Sequence, residues 1–178
     1  MCIRDRDDPT HLGLTFLLSF VGIALVEELV KFVPGMIYPY NQPFFNEPMD
    51  GIVYMVMIGM GFATLENIYY AMSFGLQTTL VRAFTAVPAH ASFAIIMGYY
   101  IGLSKFEKHK RFQLLSIGFL LAVFFHGAYD FFLIQEMYEW LSLLAIVTLY
   151  LSVRFSLRLI KLHQENSPFK VAALAEDE

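Results

Sequence analysis

Cysteine and charged residues are scarce in this chain. Cys2 is the only cysteine, which excludes an internal disulfide and a cysteine-based zinc cluster. Charged residues make up 16% of the sequence and hydrophobic residues 57%, above the roughly 45 to 50% that is typical of soluble domains. The chain also lacks a domain-wide basic face, so we exclude nucleic acid as a partner. The remaining interpretation is a protein that lies in the lipid bilayer.

Long apolar runs dominate the sequence, and about 20 such residues cross roughly 30 Å of hydrocarbon as a helix. Prolines, Gly75 and charged residues separate the runs, without strand-like alternation or repeats. Gly98 and Gly102 form a small-xxx-small pair, which favours close helix packing. We predict an all-α fold, a polytopic transmembrane helical bundle of about five helices. The predicted segments are 12–36, 50–74, 78–104, 112–134 and 138–160.

The polar ends of the chain are predicted to lie outside this bundle. We interpret residues 1–11 as a polar start that is non-native or truncated, 12–162 as the transmembrane domain and 163–178 as a polar cytoplasmic tail. Lysine and arginine cluster in the loop 105–111 and in the stretch 154–170. Because positively charged short loops stay cytoplasmic, we expect a multi-pass protein of the cell membrane with a cytoplasmic C-terminus.

Ionisable residues inside the predicted segments mark a candidate site, because each costs about 2.5 to 3.5 kcal/mol at the bilayer centre. Glu27, Glu66, His90 and His126 each fall within about one helical turn of a segment midpoint, so we expect them at one depth. Arg82 lies near a helix end and is expected to extend to the lipid headgroups. The candidate site residues are Glu27, Glu28, Lys31, Glu66, Asn67, His90, His126 and Asp130.

Helical spacing suggests partners for some of these groups. Glu27 and Lys31 are four residues apart and share a face, so they could form a purely structural ion pair that leaves Glu28 without a partner. Asp130 follows His126 by four residues. Its carboxylate could accept the proton of one ring nitrogen and so fix the histidine tautomer.

These groups suit hydrolysis by an activated water. In that reaction Glu27 or Glu28 would be the general base. His90 and His126 would stabilise the oxyanion or hold a metal ion that does so. The sequence contains neither G-x-S-x-G nor H-E-x-x-H, so serine and gluzincin mechanisms have no support. A mechanism based on glutamate and histidine remains.

Four stretches of the chain together form a family pattern. They are EELVK at 27–31, EPMDGIVYMVMIGMGFATLENIYY at 47–70, RAFTAVPAHASFAIIMGYYIG at 82–102 and HGAYDF at 126–131. In this order they resemble the motifs of the PrsW family of intramembrane proteases, which is related to the CAAX prenyl-protease and bacteriocin-processing superfamily. The resemblance covers about residues 21–132.

The resemblance implies a role for most of the candidate residues. Glu27 and Glu28 would have the paired-glutamate role and His90 and His126 the two histidine roles. Asp130 would be the polar position after the last histidine, while the motif containing Glu66 and Asn67 implies no particular role for either residue. The implied activity needs no cofactor if glutamate drives it, or Zn if it is a metalloprotease. The implied substrate is a membrane-anchored protein, such as an anti-sigma factor.

Two other functions fit the same residues. A proton- or cation-coupled transporter also uses buried Glu, His and Asp groups, although no inverted repeat is evident here. A non-catalytic protein could instead bind a membrane partner through its small-residue faces. A transporter predicts ion flux without cleavage, and the binding protein predicts function without buried carboxylates.

Overall fold

All regular structure in residues 9–169, the part of the chain that this computed structural model describes, is helical. The α-helices are α1 (Pro9–Leu17), α2 (Leu25–Ile37), α3 (Met49–Phe74), α4 (Leu76–Phe84), α5 (Ala86–Phe106), α6 (Arg111–Ile134) and α7 (Leu143–Glu165). Short 3₁₀ turns follow α2 and precede α6 and α7. The predicted boundaries 1–11, 12–162 and 163–178 stay a prediction, and residues 1–8 and 170–178 lie outside the described part.

A π-helical turn, Leu18–Ala24, joins α1 to α2 in one uninterrupted helical run. This turn packs against α6, where Phe20 lies on Gly127 so closely that a Cβ at Gly127 would collide with the phenyl ring. π-Helical turns are rare in proteins, and those that do occur are often found at functional sites. Here the turn ends three residues before Glu27, on the helix that carries the first pair of candidate carboxylates.

The predicted third segment is two helices rather than one. Gly75, with φ of 84°, ends α3 in a left-handed conformation that glycine adopts without strain. The short α4 follows, and the backbone bends at Thr85 before α5 begins. Gly75 was predicted as a break, whereas nothing in the apolar pattern around Thr85 indicated the second one.

α5 lies at the centre of the bundle and packs against α3, α6 and α7. Its contact with α3 is a close approach of two backbones. A Cβ at Gly51 of α3 would collide with the backbone of Gly98 and Gly102 of α5. The predicted small-residue pair is therefore confirmed as a packing surface between the start of α3 and the end of α5, and Gly59 of α3 continues the contact to Ala94 and the backbone of His90.

Within residues 9–169, four helical stretches are long and apolar enough to cross a membrane: Met49–Phe74, Leu76–Phe106, Lys108–Ile134 and Glu139–Glu165. The run from α1 to α2 is equally long but carries three charged residues within five positions. Those three side chains point into the bundle, while apolar side chains such as Leu17 and Val21 are exposed on its outer surface. The predicted all-α transmembrane bundle is confirmed.

The basic loop 105–111 lies at one end of this bundle. Tyr40, just after α2, hydrogen-bonds Ser104 near the end of α5 at 3.2 Å. Lys105 donates to the Tyr40 carbonyl at 2.7 Å. Ser167, just after α7, donates to Glu47, just before α3, at 2.6 Å. The ends of α2, α5 and α7 and the starts of α3 and α6 therefore share one level, which we call the basic end.

Candidate active site

Side chains from four helices meet in the half of the bundle that is farther from the basic end. His126 lies eight residues, about 12 Å, before the end of α6, and Glu66 lies eight residues before the end of α3. The rings of His90 and His126 are 5.1 Å apart between centroids and nearly perpendicular. The cluster consists of Glu27, Glu28 and Lys31 on α2, Glu66 on α3, His90 on α5, and His126 and Asp130 on α6.

Lys31 connects the innermost members of this cluster. Its ammonium donates to Glu28 Oε1 at 2.6 Å and to His90 Nδ1 at 2.9 Å, and it lies 4.6 Å from the centroid of the Phe62 ring. The side chains of Lys31 and Glu28 are both 0% exposed. Because an unpaired charge at this depth is very unfavourable, the two groups require each other. Lys31 thereby links α2 to α5.

The two histidines are held in opposite tautomers. An ammonium group has no lone pair, so His90 Nδ1 is the acceptor and the ring proton is on Nε2, which donates to Glu66 Oε2 at 2.8 Å. His126 Nδ1 donates to Glu28 Oε1 at 2.7 Å, so the neutral ring has its lone pair on Nε2. His90 therefore presents an N–H at Nε2, and His126 presents an acceptor there when its ring is neutral.

A cavity of about 450 Å³ opens beside these two nitrogens. Glu27 lines it, and within residues 9–169 the buried Glu27 Oε2 has no hydrogen-bond partner. This oxygen lies 3.8 Å from His126 Nε2, and Asp130 Oδ2 lies 3.3 Å from the same nitrogen. The lining reaches Leu133 and Ile134 in the last turn of α6, away from the basic end. An unpartnered acceptor beside a polar cavity is a site for a bound water.

Arg82 borders the same cavity from α4. Its guanidinium pairs with Glu66 Oε2 at 2.8 Å and stacks over the Tyr70 ring at 3.7 Å from the centroid. Its side chain is 18% exposed, so the prediction that it extends to the headgroups is wrong. Glu66 attracts it inward, because a carboxylate at this depth needs a cation. Glu66 thus lies between Arg82 and His90.

Lys31 forms an ion pair within α2, but its partner is a different carboxylate from the one that spacing suggested. Spacing favoured Glu27 with Lys31 and left Glu28 free, but Lys31 pairs with Glu28, and Glu27 lines the cavity instead. Positions three and four residues apart are both neighbours on a helix, so spacing alone does not choose between them. The choice depends on His90, which lies on another helix and also binds the Lys31 ammonium.

The contacts of two further candidates complete the comparison. Asp130 lies 3.3 Å from His126 Nε2, as its spacing predicts, while Glu28 accepts from Nδ1 of the same ring at the shorter distance of 2.7 Å. Asn67 makes no side-chain hydrogen bond to any residue in 9–169, and its buried Oδ1 has no partner there. Asn67 also does not line the cavity, unlike its neighbour Glu66.

Glu27, His90 and His126 fit a divalent metal ion in number and kind. Each offers one ligand atom, and these atoms all lie within 4.8 Å of one another. Two imidazoles and one carboxylate form a common zinc donor set. Glu27 Oε2 and His126 Nε2 each have a lone pair available, whereas His90 would have to lose its Nε2 proton to join them.

The charge of the cluster also fits a divalent ion. Its acidic members are Glu27, Glu28, Glu66 and Asp130, and its cations are Lys31 and Arg82. With both histidines neutral, two negative charges are left over in a site surrounded by apolar helices. Either a divalent cation or two additional protons would neutralise them, since uncompensated charge at this depth is unfavourable.

Sequence reasoning missed two contributors to this site. Arg82 was assigned to the membrane surface, although its place in the same motif as His90 was a signal for the site. Phe93 stacks on the His126 ring, with centroids 5.1 Å apart and an angle of 20°, and it is fully buried. A phenylalanine three residues after His90 gave no such signal in a chain with 18 phenylalanines.

Known proteins resemble this chain over most of its length. Residues 6–156 match a family described as PrsW family intramembrane metalloprotease. A protein named Protease PrsW from Geobacillus kaustophilus is 44% identical over 118 residues, which are 66% of this chain and 52% of that protein. Proteins of the same name from Clostridioides difficile and Bacillus subtilis are 41% and 39% identical, over 83% and 68% of this chain and 63% and 56% of their own lengths.

The chain spans about half to 63% of the length of these curated relatives. No solved structure matches it. The match favours a peptidase over the transporter that the residues alone left open. Because the family match covers residues 6–156, including all four helices that contribute to the cluster, this chain belongs to the PrsW family of intramembrane metalloproteases.

Proposed function

We propose that this chain is a membrane-embedded endopeptidase that hydrolyses a peptide bond of a membrane-anchored protein. The observation that carries the proposal is the unpartnered Glu27 Oε2, which borders a cavity at bilayer depth, 3.8 Å from His126 Nε2. A buried carboxylate without a cation is unfavourable and therefore rare unless it has a function. Membership of the family supports the same conclusion.

Glu27 is the general base in this proposal, and Glu28 is a positioning residue. A water beside Glu27 Oε2 attacks the scissile carbonyl carbon, and its proton moves to that oxygen as the new C–O bond forms. When the C–N bond breaks, Glu27 returns the proton to the leaving nitrogen. Glu28 cannot take this part, because its side chain is 0% exposed and does not line the cavity, and its Oε1 accepts from Lys31 and from His126.

His90 stabilises the oxyanion in the proposed reaction. Its Nε2–H borders the cavity and is fixed by the Lys31 bond on the opposite side of the ring. A donor on a ring whose orientation is already fixed stabilises developing charge with little reorganisation of the ring itself. To reach an oxyanion, this N–H would have to leave Glu66, whose carboxylate would keep its bond to Arg82.

Glu27, His90 and His126 are the residues that would hold a divalent ion, and such an ion would supply Lewis-acid polarisation of the carbonyl. The protein's own contribution is the orientation of these ligands. Glu28 holds His126 through Nδ1, as carboxylates often hold metal-binding histidines.

The proposed substrate is a single-pass membrane protein, such as an anti-sigma factor. The cavity extends from the histidines toward the end of the bundle that lies opposite the basic end. Since basic loops stay cytoplasmic, we propose a cytoplasmic C-terminus and a scissile bond near the opposite face. Labelling of single cysteines at Ser167 and Thr78 in a Cys2→Ser background tests this orientation, which fails if a reagent added outside cells modifies Ser167→Cys alone.

The activity is tested with purified protein and a single-pass substrate reconstituted in liposomes. Glu27→Gln should lower the cleavage rate about 100-fold or more, since general base catalysis contributes that much. His126→Ala should have a comparable effect, while Glu165→Gln, which removes an exposed carboxylate at the end of α7, should cleave normally. Full cleavage by Glu27→Gln, or ion flux without any cleavage by the wild type, would refute the proposal.

A further inference from the structure

A second polar cavity, of about 410 Å³, lies at the basic end, far from the histidines. It is formed where α2 and α5 end and α6 begins, so it lies at the level where helices leave the membrane. Its walls combine three cations with hydroxyl, amide and aromatic groups. The lining residues are Tyr40, Asn41, Ser104, Lys105, Lys108 and Arg111.

The three cations of this cavity have no carboxylate partners. Within residues 9–169, no acidic side chain lies within salt-bridge distance of Lys105, Lys108 or Arg111, although acidic residues are close in sequence. Glu107 pairs instead with Lys110 at 3.5 Å. Asp50 accepts from the backbone N–H groups of Asn46 and Glu47, at 2.8 and 3.0 Å. The cavity therefore has a net positive charge.

Two of these cations are held in place by the surrounding structure. Lys105 donates to the carbonyls of Tyr40 and Gln42, at 2.7 and 3.1 Å, and lies 4.5 Å from the centre of the Phe45 ring. The Arg111 guanidinium lies 5.0 Å from the centre of the Tyr40 ring. Cations fixed against aromatic rings lose little freedom when they bind an anion.

We propose that this cavity binds the phosphate of an anionic phospholipid. The Ser104 hydroxyl donates to the Ile101 carbonyl at 2.7 Å and so accepts from Tyr40 at 3.2 Å, which leaves the three cations as the donors for an anion. Charged N–H donors make the strong hydrogen bonds to phosphate oxygens. The α6 helix also begins here with no acidic residue in its first turn, and the positive end of its dipole favours an anion. Basic pockets between membrane helices recognise lipid headgroups in this way.

A second basic patch on the bundle provides a matched control. Arg154, Arg158 and Lys161 surround a cavity that is formed by α7 alone. No hydroxyl group and no second helix lines this cavity. Its cations therefore do not converge on one point from two helices. It has the same number of positive charges as the cavity at the basic end. A comparison of the two therefore distinguishes site-specific binding from general attraction to an anionic surface.

The test is native mass spectrometry of the purified chain in mild detergent, with phosphatidylglycerol, phosphatidylcholine or inorganic phosphate added. The wild type should retain one phosphatidylglycerol in preference to phosphatidylcholine. Lys108→Gln/Arg111→Gln should weaken this binding about 25-fold, and the exposed Lys108→Gln alone about 5-fold. Arg154→Gln/Arg158→Gln should bind like the wild type, and so should Glu27→Gln, because this site is independent of the peptidase.

Three results would overturn the assignment. One is equal retention of phosphatidylcholine, and another is an equal loss in both double variants. The third is displacement of the lipid by inorganic phosphate at the same concentration, which would assign the cavity to soluble phosphate. A normal circular dichroism spectrum for each variant establishes that weaker binding does not come from unfolding.

Discussion

Replacing Lys31 by methionine should destabilise the bundle more than any surface substitution. The side chains of Lys31 and Glu28 are both 0% exposed, and the 2.6 Å bond between them joins two opposite charges inside the protein. Methionine fills a similar volume but leaves the Glu28 carboxylate with only the His126 N–H as a partner. Removing one member of a buried ion pair costs about 3 to 5 kcal/mol, and we expect a loss of that size in the free energy of unfolding.

The double variant Lys31→Met/Glu28→Gln isolates the charge effect. Its neutral amide oxygen can still accept from His126 Nδ1, so the double variant should recover to within about 1 to 2 kcal/mol of the wild type. The assay is reversible denaturant unfolding in micelles, followed by circular dichroism, for the wild type, both single variants and the double variant. A loss below about 1 kcal/mol in Lys31→Met, or strictly additive effects in the double variant, would refute the coupling.

Three other predictions follow from the same geometry. Arg82→Gln should reduce cleavage about 10 to 100-fold, because it removes the cationic partner of Glu66. Its loss of stability should be smaller than that of Lys31→Met, because both side chains are 18% exposed, and Arg82→Lys should restore part of the rate in the liposome assay. Zinc added to purified protein should raise the melting temperature of the wild type, measured by calorimetry, but not that of Glu27→Gln. An equal rise in both proteins would count against Glu27 as a ligand. Gly51→Val should separate α3 from α5 and lower the free energy of unfolding by more than about 2 kcal/mol. Gly61→Ala is the control, because a Cβ at Gly61 meets open space, and it should be neutral or stabilising in the same unfolding assay.

The helices and the depth of the site in the membrane could be predicted from the sequence, because both follow from the cost of exposing polar groups to hydrocarbon. A carboxylate such as Glu66 in an apolar segment must face other polar groups, wherever they come from. The common depth of Glu66, His90 and His126 then predicts their neighbourhood without any knowledge of helix order. Small residues such as Gly98 and Gly102 further indicated which faces pack closely.

The partners within the cluster could not be predicted in the same way. Helical periodicity predicts which residues share a face, but it does not give the rotation of one helix relative to its neighbours. Arg82 shows the consequence, since its direction depends on the position of Glu66 on α3 and on the bend at Thr85. The π-helical turn before α2 likewise changes the rotation of Glu27 and Glu28, and no residue pattern in Leu18–Ala24 signals it.

The adjacent glutamates have different environments because consecutive residues on an α-helix point about 100° apart. Glu28 faces the interior, where Lys31 and His126 both bind its Oε1, and Glu27 faces the cavity. One carboxylate can therefore hold the histidine while the other keeps an oxygen available for water or a metal ion. Glu28 could not do both, because its side chain is 0% exposed and does not line the cavity. The two glutamates thus have different roles because of helix geometry. Glu28→Asp should affect stability, and Glu27→Asp should affect cleavage.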